Sequence, residues 1–165
     1  MKAEQIIKRL GLEPLEDEGG FYYETYVSSE TISREHLPGR YNNDKPFSSA
    51  IYYLLTPETK SRLHRLPSDE VYHFYSGDPV QMLLLYPNGN SSIIFLGQDI
   101  MSGQRVQMLV PRGVWQGSFL IEGGRYALMG TTVSPGFDFG DFEGSDPEDL
   151  KKFYPRHSDM IDRLA

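Results

Sequence analysis

From Ser48 to Val133 the chain is a series of short apolar and aromatic runs, each closed by a turn sequence. The runs are SAIYYLL, SRLHRL, EVYHFYSG, VQMLLLY, SSIIFLG, QRVQMLV and RYALMGTTV, with TPET, LPSD, SGDP, YPNGN, DIMSGQ, VPRG and IEGG as punctuation. Asn-Gly between two apolar runs marks a hairpin, because both residues tolerate the positive φ of a tight turn. Many short strands at near-regular spacing predict an all-β sandwich or barrel. VQMLLLY is apolar on both faces, so it is expected to be covered twice, by the opposing sheet and by a partner subunit.

The flanks read differently. Ala3, Ile6, Ile7 and Leu10 recur at helical spacing, and Gly11 with Pro14 ends that helix. EGGFYYETYVSS is an extended arm by its aromatic and β-branched content. After Pro135 an aromatic, acidic loop leads to two short helices, the first capped by Asp146 and the second by Ser158. One domain is expected over residues 1–165: an N-terminal helix and extended arm (1–47), a barrel core (48–134), and a C-terminal loop with helices (135–165).

A formal net charge of −7 opposes phosphate-rich partners, so neither nucleic acid nor a membrane surface is expected. Cysteine is absent, which excludes thiolate nucleophiles, disulfides and zinc–cysteine centres. No apolar run approaches transmembrane length, and a cytoplasmic protein is expected.

Chemistry concentrates in HRLPSDEVYHFYSG, His64 to Gly77. Side chains alternate across a strand, so Glu70, Tyr72 and Phe74 share one face while Val71, His73 and Tyr75 share the other. His64 and Leu66 lie together on the preceding strand. With these residues inside a barrel, His64 meets Glu70 and His73 stays outside. A carboxylate beside an imidazole fixes its tautomer, which suits proton transfer.

The spacing His64-x-Leu66-x3-Glu70-x6-Gly77 resembles the first motif of the cupin superfamily, and PRGVWQ, Pro111 to Gln116, resembles the second. Leu66 and Gln116 stand where the resemblance would place the second and third metal histidines. SRLHRLPSDEVYHFYSGDP, VPRGVWQGS, TTVSPGFDFGDFE and EGGFYYETY together resemble cupin family 5, formerly a domain of unknown function, across almost the whole chain. The resemblance implies a double-stranded β-helix, or jelly-roll barrel, and pairing of two copies into a homodimer. By analogy with cupin sugar-nucleotide epimerases it implies a His base and a Tyr acid.

His64 and Glu70 are therefore the candidate acid/base groups, with Tyr72 for the opposite proton transfer. Arg62, Phe74, Gln107, Trp115 and Gln116 are the candidate ligand contacts, with Arg62 and Gln107 turned inward and Trp115 at the mouth. His64, Glu70 and Gln116 make at most a weak divalent-metal site, since an amide oxygen is a poor ligand for Fe, Mn, Ni or Zn. No tightly held cofactor is expected. In SPGFDFGDFE, Phe137, Phe139 and Phe142 are expected to anchor the loop while Asp138, Asp141 and Glu143 stay in water. The expected function is binding of a small polar ligand, led by an epimerase or isomerase acting on a sugar-like substrate. A binding module without turnover and a metal-dependent oxygenase or isomerase are the alternatives.

Overall fold

The computed structural model describes residues 2–165. Helix α1 (Ala3–Leu10) leads into β1 (Glu13–Pro14), β2 (Phe21–Val27) and a small ribbon of β3 (Thr31–Ile32) with β4 (Lys45–Pro46). Next come β5 (Ser49–Leu55), β6 (Lys60–Arg65), β7 (Asp69–Gly77), β8 (Val80–Leu85) and β9 (Ser91–Leu96). The last strands are β10 (Gln107–Val110), β11 (Trp115–Leu120), β12 (Ala127–Ser134) and β13 (Glu143–Gly144), followed by α2 (Pro147–Phe153) and α3 (Ser158–Leu164).

Two antiparallel sheets form the body, a six-stranded one ordered β1-β2-β5-β12-β7-β10 and a five-stranded one ordered β13-β6-β11-β8-β9. Alternate residues of both, among them Tyr53, Tyr72, Phe74, Met82, Leu84 and Met129, fill the space between them. The Asn-Gly hairpin forms as expected: Tyr86 N–H donates to the Asn90 carbonyl at 2.9 Å, and Gly89 takes φ 85°. Gly77, the last residue of the motif stretch, has φ 108°, and a Cβ there would strike the Tyr126 carbonyl.

Strand β8 is buried on both faces, but its second cover is the chain's own and not a partner's. Leu83 and Leu85 pack with Leu150, Tyr154, Ile161 and Leu164 of the C-terminal segment. Each such leucine contributes roughly 1.5–3 kcal/mol by leaving water, so the helices belong to the core. Asp146 caps α2 by accepting the N–H groups of Glu148 and Asp149, with Pro147 at the first helical position. Ser158 does not cap α3. It is the helix's first residue, its hydroxyl donates back to the Pro155 carbonyl, and His157 holds the cap position. Among the described residues no helix is long and apolar enough to cross a membrane.

Candidate functional site

A bulge on β6 sets which side chains enter the barrel. Its partner β11 pairs His64 with Gln116 and Ser61 with Ser118, so Arg62 and Leu63 together face the single residue Gly117. Ser61 and His64, three residues apart, therefore both point inward, while Leu63 joins the outer cluster under α3. A Cβ on Gly117 would lie 3.1 Å from the Ser61 carbonyl oxygen and 3.2 Å from both Leu63 and Leu164. Glycine is what lets α3 close over the bulge.

A cavity of about 250 Å³ opens between the sheets. His64, Leu66, Glu70 and Thr131 line its inner part, and Asp17, Glu18, Tyr22 and Glu24 come from the N-terminal arm. Phe137, Phe139 and Phe142 of the loop after β12 close the remaining side.

His64 is 1% exposed. Its Nδ1 sits 2.7 Å from the Arg62 carbonyl oxygen, which can only accept, so the proton of the neutral ring is on Nδ1. Nε2 is left toward the cavity with no hydrogen-bond partner, and Glu18 Oε2 stands 3.7 Å away. Ser61 donates to the other Glu18 oxygen at 2.6 Å, and Phe142 stacks on the imidazole with centroids 5.1 Å apart. Glu70 accepts a 2.7 Å hydrogen bond from the Gln116 amide. Burial and the charge of Glu18 push the Glu70 carboxyl above its ordinary value, against the opposing pull of His64, Thr131 and Gln116.

Four of the residues expected at the ligand lie elsewhere. Tyr72 and Phe74 face inward but pack in the apolar core instead of lining the cavity, and burial holds the Tyr72 hydroxyl well above the usual phenol range. Gln107 is opposite His73 on the β7–β10 ladder, and cross-strand partners share a face. It therefore lies outside the barrel, its amide 3.3 Å from His73 Nδ1. Trp115 packs against the outer cluster under the C-terminal helices, with the Arg65 guanidinium 4.6 Å above its ring. It neighbours inward-facing Gln116, so alternation turns it out.

Arg62 also lies away from the ligand: the bulge turns it out of the barrel, where it donates to the carbonyls of Glu16 and Asp17 at 3.0 and 3.2 Å. It holds the arm against β6 and leaves Glu18 at the cavity. Gln116 is inward and buried, yet it reaches the cavity only through Glu70.

The acids of the aromatic loop are not all in water. Lys45 is 1% exposed and donates to Asp138 at 2.5 Å and Asp141 at 2.6 Å, fastening the loop beneath its rings. Glu143 is exposed and takes a bidentate bond from Arg65. Sequence alone offers no signal for Lys45 or Glu18, since each lies in loop-like sequence and gains its role from residues distant along the chain.

The residues do not fit the metal centre that the motif resemblance implies. Leu66 is buried where a second imidazole would stand, and the Gln116 nitrogen is committed to Glu70. Among the described residues no three His, Cys, Asp or Glu side chains are grouped to hold an ion.

Residues 4–144 match the family described as Cupin superfamily (DUF985). A hypothetical protein from Leishmania major is 34% identical in sequence, with a TM-score of 0.88 over 100% of this chain and 99% of that one. The uncharacterized protein YML079W of Saccharomyces cerevisiae is 33% identical over 132 residues, 75% of this chain. The match spans 66% of the yeast protein, just under two thirds of its length. Oxalate decarboxylase from Bacillus subtilis is 15% identical, with a TM-score of 0.53 over 93% of this chain and 38% of that one. At that identity the likeness concerns the fold alone.

Proposed function

The chain belongs to the cupin superfamily, in the family described as DUF985, and from that premise we propose that its cavity binds a small polar molecule and that His64 handles a proton there. One observation carries the reading. His64 is buried with Nδ1 committed to a carbonyl, so its other nitrogen is presented to the cavity without a partner. Such a nitrogen can accept a proton, and the Glu18 carboxylate stands 3.7 Å from it.

Glu70 replaces Tyr72 as the second proton-handling group, because its raised carboxyl lines the cavity and the phenol does not. An imidazole and a carboxyl on one cavity support isomerase or epimerase chemistry on a polar, sugar-like substrate. The aromatic lining supports a second reading, a binding module without turnover. Ligand-observed NMR with monosaccharides and their amino derivatives, on wild type and His64→Asn, tests both. Binding lost in the variant supports the site; identical binding in both removes His64 from it.

We also propose that two copies pair through the outer face of the six-stranded sheet. Tyr23, Tyr75 and Leu109 are 49%, 44% and 48% exposed there, with Tyr52 and His73 packed against Tyr75. An apolar face of this kind is covered by a second copy in a two-fold dimer.

A further inference from the structure

Negative charge and aromatic rings share the walls of the cavity. Resting on the reading of that cavity as a ligand site, we propose that its ligand is an organic cation, a protonated amine carried on a compact body.

The charge comes from Asp17, Glu18, Glu24 and Glu70, and no Lys or Arg is among the described residues lining the cavity. Asp17 and Glu24 are exposed, Glu18 is half-buried and Glu70 is buried, so the carboxylates run from the rim inward. The cations of the flanking elements are committed elsewhere. Arg62 is turned out to the Glu16 and Asp17 carbonyls, Lys45 lies between Asp138 and Asp141, and Arg65 holds Glu143.

Three of the lining rings meet edge-on. Tyr22 meets Phe139 edge-on at 6.5 Å and 82°, and Phe139 meets Phe137 at 5.4 Å and 76°. Aromatic rings lining a small volume suit a cation, which ring quadrupoles attract most strongly when water is excluded. His64 Nε2 faces the cavity with no hydrogen-bond partner on a side chain 99% buried, an acceptor suited to an ammonium N–H. A phosphorylated or carboxylated ligand would set its charge against four carboxylates with no fixed cation to answer it. The volume of about 250 Å³ limits the ligand to a small molecule.

Three probes of matched shape separate the charge from the site: benzylammonium, benzyl alcohol and benzoate, each titrated into the ¹⁵N-labelled protein at low and high salt. Shifts at Glu18, His64 and Phe142 are expected with benzylammonium, at a dissociation constant at least fivefold below that of benzyl alcohol. Benzoate is expected to bind weakest, and salt to narrow the gap. Glu24→Gln, an exposed change that leaves the core untouched, and Glu18→Gln should each reduce the preference. Equal affinity for all three probes, or tightest binding of benzoate, overturns the cation assignment while leaving the cavity a ligand site. No shift at the cavity with any probe overturns both.

Discussion

Gln116 donates a 2.7 Å hydrogen bond to Glu70 across the barrel interior, from the five-stranded sheet to the six-stranded one. The other amide atom, Oε1, is buried without a protein partner, as is the Ser118 hydroxyl. The Gln116 amide therefore supports the carboxylate and leaves its own oxygen unsatisfied, an arrangement that stability alone does not favour.

The raised Glu70 carboxyl has a consequence for pH dependence. The folded protein keeps the proton above the ordinary value of 4.5, after the unfolded chain has released it. This residue's contribution to stability therefore falls as pH rises from about 4.5 through the folded value, and is level beyond it. Glu70→Gln removes that slope. In paired thermal melts from pH 4 to pH 8 the variant should gain on wild type as pH rises. A difference independent of pH would mean that Glu70 titrates normally.

Lys45→Met leaves Asp141 buried without its cation. Removing one partner of a buried pair typically costs about 3–5 kcal/mol, here tempered by the partial exposure of Asp138. Urea unfolding should register the loss, and amide exchange across residues 137–142 should quicken more than in the barrel strands. Unchanged protection of that loop would show that the rings alone hold it.

The tautomer of His64 is open to direct observation. Long-range ¹H–¹⁵N spectra of the neutral ring should show a protonated Nδ1 and a bare Nε2, as the Arg62 carbonyl requires. The opposite tautomer would take the free lone pair away from the cavity and with it the proposed base.

Much of this was legible in sequence, and the failures have physical causes. Alternation along β7 separated Glu70 from His73 correctly, because that strand pairs with β10 without interruption from Glu70 to His73. The same rule failed for Arg62, since the bulge opposite Gly117 inserts a residue that periodicity cannot reveal. Strand β11 was itself hidden: Gly117 falls within its short run, and Gln116 and Ser118 are inward polar residues where an apolar pattern would be sought. Glu18 sits in the turn-like sequence LEDEGG, and contacts with distant β6, among them the 2.7 Å bond from the Arg62 N–H to its carbonyl, bring it to the site. The sequence of β8 shows that it is covered twice but not by what, since amphipathic helices far along the chain and a partner subunit leave the same mark on a strand.

Light scattering should give a dimer at micromolar concentration. Tyr75→Glu places a charge in the middle of the proposed contact and should yield monomers that melt cooperatively. A wild-type monomer, or a Tyr75→Glu dimer, would remove the outer sheet face from consideration.

Protein purified without a polyhistidine tag and washed with a chelator should carry far less than one Fe, Mn, Ni or Zn per chain. Stoichiometric metal surviving that wash would revive a metal-dependent reaction and require Gln116 to release Glu70.

The hydrogen bond between the sheets also makes the cavity a gauge of the whole molecule. Its groups arrive from the N-terminal arm, from β6 and from β7, so no single layer holds a complete set. A partly folded chain with one layer formed lacks part of the lining, His64 among it when only the six-stranded sheet is formed. Occupancy is thus linked to assembly of the entire sandwich, and a ligand at a hundred times its dissociation constant would add about 2.7 kcal/mol to one shared transition. A compound that raises the melting temperature of the wild type more than that of His64→Asn is, for this architecture, a lead to what the cavity holds.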